Sequence, residues 1–252
     1  MPDLALRFVS TLGLALLAPV LVRQGKRVRR TTPRLPEAPG PRTGEVPGRG
    51  APVRLLVLGE STAAGVGAAD HREGLAGQVA ASVGAETGRP VHWRVIGRNG
   101  ATAAGAHDEL LVPAADVAAD VAVVALGVND TLRLRSPGRW TADLRRLIGA
   151  LRERCGAVPV ILAGVPPMGL FPALPQPLRG TLGLRAVVLD RAAARMAGTM
   201  EGVRHVSVPL PRDEVDAFFC DDRFHPSPHG YAQWGAALGR AAAAALGATR
   251  RA

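Results

Sequence analysis

The chain has 252 residues, 47% of them hydrophobic, which is enough for one globular domain with a sizeable core. Two distant cysteines, Cys155 and Cys220, match neither a disulfide framework nor a zinc or redox spacing and read as free thiols. The net charge of +10 does not point to nucleic acid: the first 50 residues supply +6 of it, and 4% aromatic residues leave little to stack on bases.

The first element is an uncharged apolar run, Phe8 to Val22, followed at once by the basic cluster Arg23, Lys26, Arg27, Arg29 and Arg30. A signal peptide carries its basic residues before the apolar stretch and an A-x-A site after it; this order is reversed and the site is missing, so cleaved export is disfavoured. Residues 1–30 read as a membrane-associating segment, either a short or tilted span or an interfacial helix, with the basic cluster kept on the cytoplasmic side beside anionic lipid. A helix packed on the protein's own core is the competing reading. Residues 31–52, dense in Pro and Gly with no apolar period, read as an extended linker or a wrapping arm. The folded domain is then 53–252.

Within that domain five aliphatic runs recur with room for a helix between them: VRLLVLG from Val53, VHWRVIG from Val91, VAVVALG from Val121, VPVILAG from Val158 and VRHVSV from Val203. Near-continuous hydrophobicity suits strands covered on both faces, and the Ala/Leu/Arg-rich segments between them suit crossover helices. The expected fold class is α/β: a three-layer α/β/α sandwich around a five-stranded, mostly parallel sheet in the flavodoxin-like order 2-1-3-4-5. Such sheets bind ligands at the carboxyl ends of their strands, so the polar residues just after each run are the ones to inspect.

The first run is followed by Glu60-Ser61-Thr62, the second by Asn99-Gly100-Ala101-Thr102, the third by Val128-Asn129-Asp130, and the last by FFCDDRFHPSPHGY. In the expected order the first three of these ends lie side by side. Ser61, the backbone N–H of Gly100 and the side-chain amide of Asn129 then converge on one point, a nucleophile with donors for a developing oxyanion. Asp222 and His225, three residues apart, add a carboxylate and an imidazole that can take the serine proton. Alone, Ser61 also reads as a helix cap and Asn129 as a turn residue. The stretch GESTAAGVG lacks the Lys-Ser/Thr of a P-loop and is not a G-x-S-x-G elbow. Asp130 reads as structural, and His229, inside the first turn of the last helix, competes with His225 but lacks an acid at the right spacing. No His/Cys/Asp grouping has metal-ligand spacing, so neither metal nor cofactor is expected.

The four blocks GESTAAG, NGAT, GVND and DRFHPS, in this order, resemble the SGNH/GDSL hydrolase family. The resemblance covers Val53 to the last helix. It implies Ser61 as nucleophile and oxyanion donor, Gly100 and Asn129 as further oxyanion donors, and Asp222 and His225 as the rest of a catalytic triad. The family usually has Asp before the serine, where this chain has Glu60; the added methylene bears on loop geometry and substrate preference. The expected activity is hydrolysis of a carboxylic ester or thioester, of small-molecule or lipid-like form, through an acyl-enzyme. An acyltransferase or deacetylase using the same triad, and a non-catalytic membrane adaptor, are the alternatives. The long proline-rich segment 164–185, with Met168, Leu170, Phe171, Leu174 and Leu178, reads either as a packed surface loop or as the wall of an acyl pocket.

Overall fold

Successive side chains of a strand point to opposite faces, so a strand that is apolar throughout needs a hydrophobic layer on each side. The computed structural model, which describes residues 2–249 except 113, 115, 116 and 211 and leaves the side chains of 2–16 and 249 undescribed, has that arrangement. The five expected runs form parallel strands: β2 (Val53–Gly59), β3 (Val91–Gly97), β4 (Val121–Ala125), β5 (Val160–Ala163) and β6 (Val203–Val206). Leu56, Leu58, Val124 and Leu162 face one core, closed by α5 (Pro137–Cys155) and α6 (Leu178–Ala197). Leu55, Val57, Val123 and Ile161 face the other, closed by α2 (Leu75–Thr87) and α8 (Pro228–Thr249).

The sheet has six strands rather than the expected five, in the order β1-β3-β2-β4-β5-β6. The added strand, β1 (Thr43–Val46), comes from the segment read as a linker and pairs antiparallel with β3. Its four residues, TGEV, carry no detectable apolar period; the open edge of β3 decides their conformation. Gly44 lies directly on the Trp93 indole, where a β-carbon would come within 2.2 Å of the ring. Without β1, the remaining strands run in the expected order.

The first helix, α1, spans Pro2–Thr31. Its described part docks on the domain: Leu21 and Val28 pack against the α6-side core, and Gln24 accepts from the Leu178 N–H (3.1 Å) and donates to the Gln176 carbonyl (2.7 Å). The basic cluster Arg23, Lys26, Arg27, Arg29 and Arg30 is exposed. Most of the apolar run Phe8–Val22 lies outside the residues whose side chains are described. Among the described residues no helix is long and apolar enough to cross a membrane.

Candidate active site

Three strand ends set the floor of the site. Gly59 is level with Gly97 on one side and Ala125 on the other. The Arg98 N–H donates to the Gly59 carbonyl (3.2 Å) and the Glu60 N–H to the Ala125 carbonyl (3.0 Å), so the three loops leave the sheet tied together. The first carries Ser61, the second Gly100. The third opens into the short helix α4 (Val128–Leu132), which carries Asn129.

The last loop, between α7 (Val215–Phe218) and α8, brings Asp222 and His225 to Ser61. The Ser61 Oγ lies 3.1 Å from His225 Nε2, and His225 Nδ1 lies 2.6 Å from Asp222 Oδ2. A carboxylate at Nδ1 holds the proton there, leaving Nε2 as the acceptor for the serine hydroxyl. Asp222 Oδ1 accepts from the backbone N–H groups of Phe224 and His225 (both 2.8 Å) and from the Cys220 thiol (3.2 Å). Burial works to raise the Asp222 carboxyl, but the bonds from the His225 ring and from the two backbone N–H groups outweigh it and hold the group below the usual carboxylate range. Burial, helped by the neighbouring carboxylate, pushes the Cys220 thiol up to about 12, so it stays protonated and donates. Arg223, at φ +58°, makes the tight turn that folds this loop back on itself.

Behind His225 stands an aromatic cluster. Phe224 meets the imidazole edge-on at 5.3 Å, and Phe171 meets Phe224 and Phe219 at 5.1 and 4.9 Å. Met168, Phe171, Leu174 and Leu178 are all buried. These apolar residues of the proline-rich segment are therefore core, supporting the histidine loop, and the packed-loop reading fits them better than an acyl wall. A cavity of about 470 Å³ beside that loop has mixed walls: Pro172, Asp216, Phe219, Cys220, Asp221 and Arg223.

Gly100 adopts φ +82°, and among the described residues neither its N–H nor that of Ser61 has a hydrogen-bond partner. Asn129 is held firmly: its backbone N–H (3.0 Å) and its side-chain amide (2.5 Å) both donate to Glu60 Oε2, and the amide donates also to the Ala101 carbonyl (3.1 Å). The Val128 N–H donates to the other Glu60 oxygen (2.9 Å). Asp130 is buried and accepts from the Ala103 N–H (3.0 Å), tying the second loop to the third. His229 lies instead against Glu214 on the exposed side of α8.

Burial is the largest influence on Glu60 and raises its carboxyl to about 7, against the bonds from Asn129 and Val128. The folded state therefore holds a proton on Glu60 that the unfolded state has lost, and this contribution to stability declines as pH rises from the unfolded value of 4.5 through about 7. Relative to the wild type, Glu60→Gln should gain about 2–3 kcal/mol in urea unfolding between pH 5 and pH 8. A difference that stays flat with pH would refute the assignment.

From the sequence, Cys220 beside the histidine loop reads as a small packing residue; in the structure its thiol donates to Asp222 Oδ1, and the Cys220-x-Asp222 proximity is the signal for it. Glu37 and Arg42, in the segment read as a linker, belong to no motif, yet Glu37 accepts from the Asn99 N–H and pairs with Arg42 beside the loop of Gly100.

Comparisons with known proteins place the chain in a family. A family model described as GDSL-like lipase/acylhydrolase matches residues 57–233. A GDSL-like esterase of Mycobacterium tuberculosis is 31% identical over 231 residues, covering 84% of this chain and 72% of the relative. Among solved structures, a lipase from a goat rumen metagenome superposes with a TM-score of 0.60 at 19% identity, over 75% of this chain and 97% of that one. A carbohydrate acetylesterase from Sinorhizobium meliloti does so with a TM-score of 0.57 at 18% identity, over 76% and 99%.

Proposed function

The chain belongs to the GDSL-like lipase/acylhydrolase family of ester-bond hydrolases, and on that premise we propose that it cleaves carboxylic ester or thioester bonds through a Ser61–His225–Asp222 triad. The observation that carries this reading is the unbroken relay of 3.1 and 2.6 Å from the Ser61 hydroxyl through His225 to Asp222, whose other oxygen accepts three further bonds. Ser61 Oγ attacks the carbonyl carbon while His225 Nε2 takes its proton. The negative oxygen of the tetrahedral intermediate is met by the N–H groups of Ser61 and Gly100, which have no other partner among the described residues, and by the Asn129 amide. Asn129 already gives its amide hydrogens to Glu60 and Ala101. In this reading the bond to the Ala101 carbonyl, the longer of the two, is the one exchanged for the oxyanion.

Collapse expels the alcohol or thiol, which takes the proton from His225. A water molecule, deprotonated by the same imidazole, then attacks the acyl-enzyme and restores Ser61. A fluorophosphonate probe tests the nucleophile directly: it should label the full chain once, at Ser61, and leave Ser61→Ala unlabelled. Labelling that survives the substitution would place the reactive serine elsewhere.

We further propose that the first 30 residues hold the enzyme at the cytoplasmic face of a membrane. Its support is the exposed basic cluster on α1, each member of which contributes about 1 kcal/mol near an anionic surface. The full chain should sediment with phosphatidylserine vesicles at low salt and be released as salt rises. Equal sedimentation with neutral phosphatidylcholine vesicles would overturn the electrostatic attachment.

A further inference from the structure

Before the domain proper, residues 37–46 lie across the two loops that carry Ser61 and Gly100. Ala38 is buried; its N–H donates to the Ala64 carbonyl (3.0 Å), and it fills the space left by Gly65, where a β-carbon would come within 2.6 Å of the alanine methyl. Glu37 Oε1 accepts from the Asn99 N–H (2.6 Å), one residue before Gly100. Its other oxygen pairs with Arg42 (2.5 Å), and Arg42 in turn donates to the Gly97 carbonyl (2.5 Å) at the end of β3. The Val95 N–H donates to the Arg42 carbonyl (2.8 Å), which extends the β1–β3 ladder to the clasp. A turn starting at Gly97 and passing through Asn99 is thus gripped at both places by one ion pair.

We propose that Glu37 and Arg42 are positioning residues for catalysis: they fix the Gly97–Gly100 loop so that the Gly100 N–H points at the reacting carbonyl oxygen. This rests on the serine-esterase reading above and lies outside residues 57–233, which the family model matches. Two features separate positioning from plain structural support. Asn99 is exposed, so water replaces Glu37 on its N–H and little stability is lost with the carboxylate. The pair itself is partly exposed, at 44% for Arg42 and 28% for Glu37, and pairs of that kind contribute little to folding. What the clasp removes is freedom of the loop, and a small misplacement of an oxyanion donor is costly in rate.

The test uses the full chain with p-nitrophenyl acetate. Glu37→Ala and Arg42→Ala should each lower kcat by about tenfold with KM within twofold. Affinity for a trifluoromethyl ketone, which adds to the serine and presents an oxyanion, should fall by the same factor as kcat/KM. Glu37→Gln keeps an acceptor for the Asn99 N–H but turns its NH2 toward the Arg42 guanidinium, so its kcat should fall between those of the wild type and Glu37→Ala. Thermal midpoints should be unchanged. Wild-type kcat and ketone affinity in both alanine variants would overturn the clasp, and so would a loss of rate that tracks a fall in the thermal midpoint. If the wild-type chain itself neither turns over the ester nor takes a fluorophosphonate on Ser61, it is the serine-esterase reading that fails.

Discussion

Ser61→Ala is expected to lower kcat for ester hydrolysis by on the order of a millionfold with little change in KM. The size of the loss follows from the covalent route: without the hydroxyl no acyl-enzyme forms, and His225 has no proton to collect. The loop should not change shape to compensate. The Ser61 carbonyl accepts from the Val66 N–H (3.0 Å), and the Glu60 carbonyl accepts from the Ala64 N–H (3.0 Å), so its turn is made by the backbone and alanine fits it. Residual hydrolysis should come from the oxyanion donors alone. Steady-state rates on p-nitrophenyl acetate check this, with substrate binding followed separately; a variant retaining a tenth of wild-type turnover would remove Ser61 from the chemistry.

Asp222→Asn is the second large effect, expected at about ten-thousandfold in kcat. The direction is set by the three donors around Asp222 Oδ1, the N–H groups of Phe224 and His225 and the Cys220 thiol. An asparagine must turn its carbonyl oxygen toward those donors, which leaves its NH2 facing His225 Nδ1. The imidazole then accepts at Nδ1 and carries its proton on Nε2, aimed at the Ser61 hydroxyl it is meant to deprotonate. The geometry survives while the base is lost. Imidazole 15N shifts report the tautomer directly: protonation should move from Nδ1 to Nε2 along with the fall in rate. A fall in rate with Nδ1 still protonated would contradict this account.

Much of this arrangement is legible in the sequence because the chemistry follows the fold's own punctuation. Each of the first three parallel strands is largely apolar and gives way to polar or small residues at its carboxyl end, so the doubly wound strand order sets Ser61, Gly100 and Asn129 at one edge. Asp222 and His225 are readable because a three-residue spacing suits a carboxylate turning back on an imidazole. Other features depend on contacts that no local pattern encodes. Four residues of β1 adopt extended pairing only because β3 offers an open edge, and Glu37 and Arg42 gain their partners from loops 62 and 55 residues away. The apolar residues of the proline-rich segment are ambiguous for a similar reason: Met168 and Phe171 suit a pocket wall and a core equally well until Phe219 and Phe224 are seen packed edge-to-face with Phe171.

The strand that covers β3 also bears on solubility. Were the chain cut at Val53, where its periodicity begins, all four motif blocks would remain, but Trp93 would lose the backbone lying over its indole and β3 would present a row of unpaired N–H and C=O groups. An open edge of that kind recruits another strand, most readily from an identical molecule. A shortened protein, with the seven residues of β3 as its edge in place of the four of β1, should therefore gather into dimers and larger aggregates; the short strand blunts the edge against its own copies.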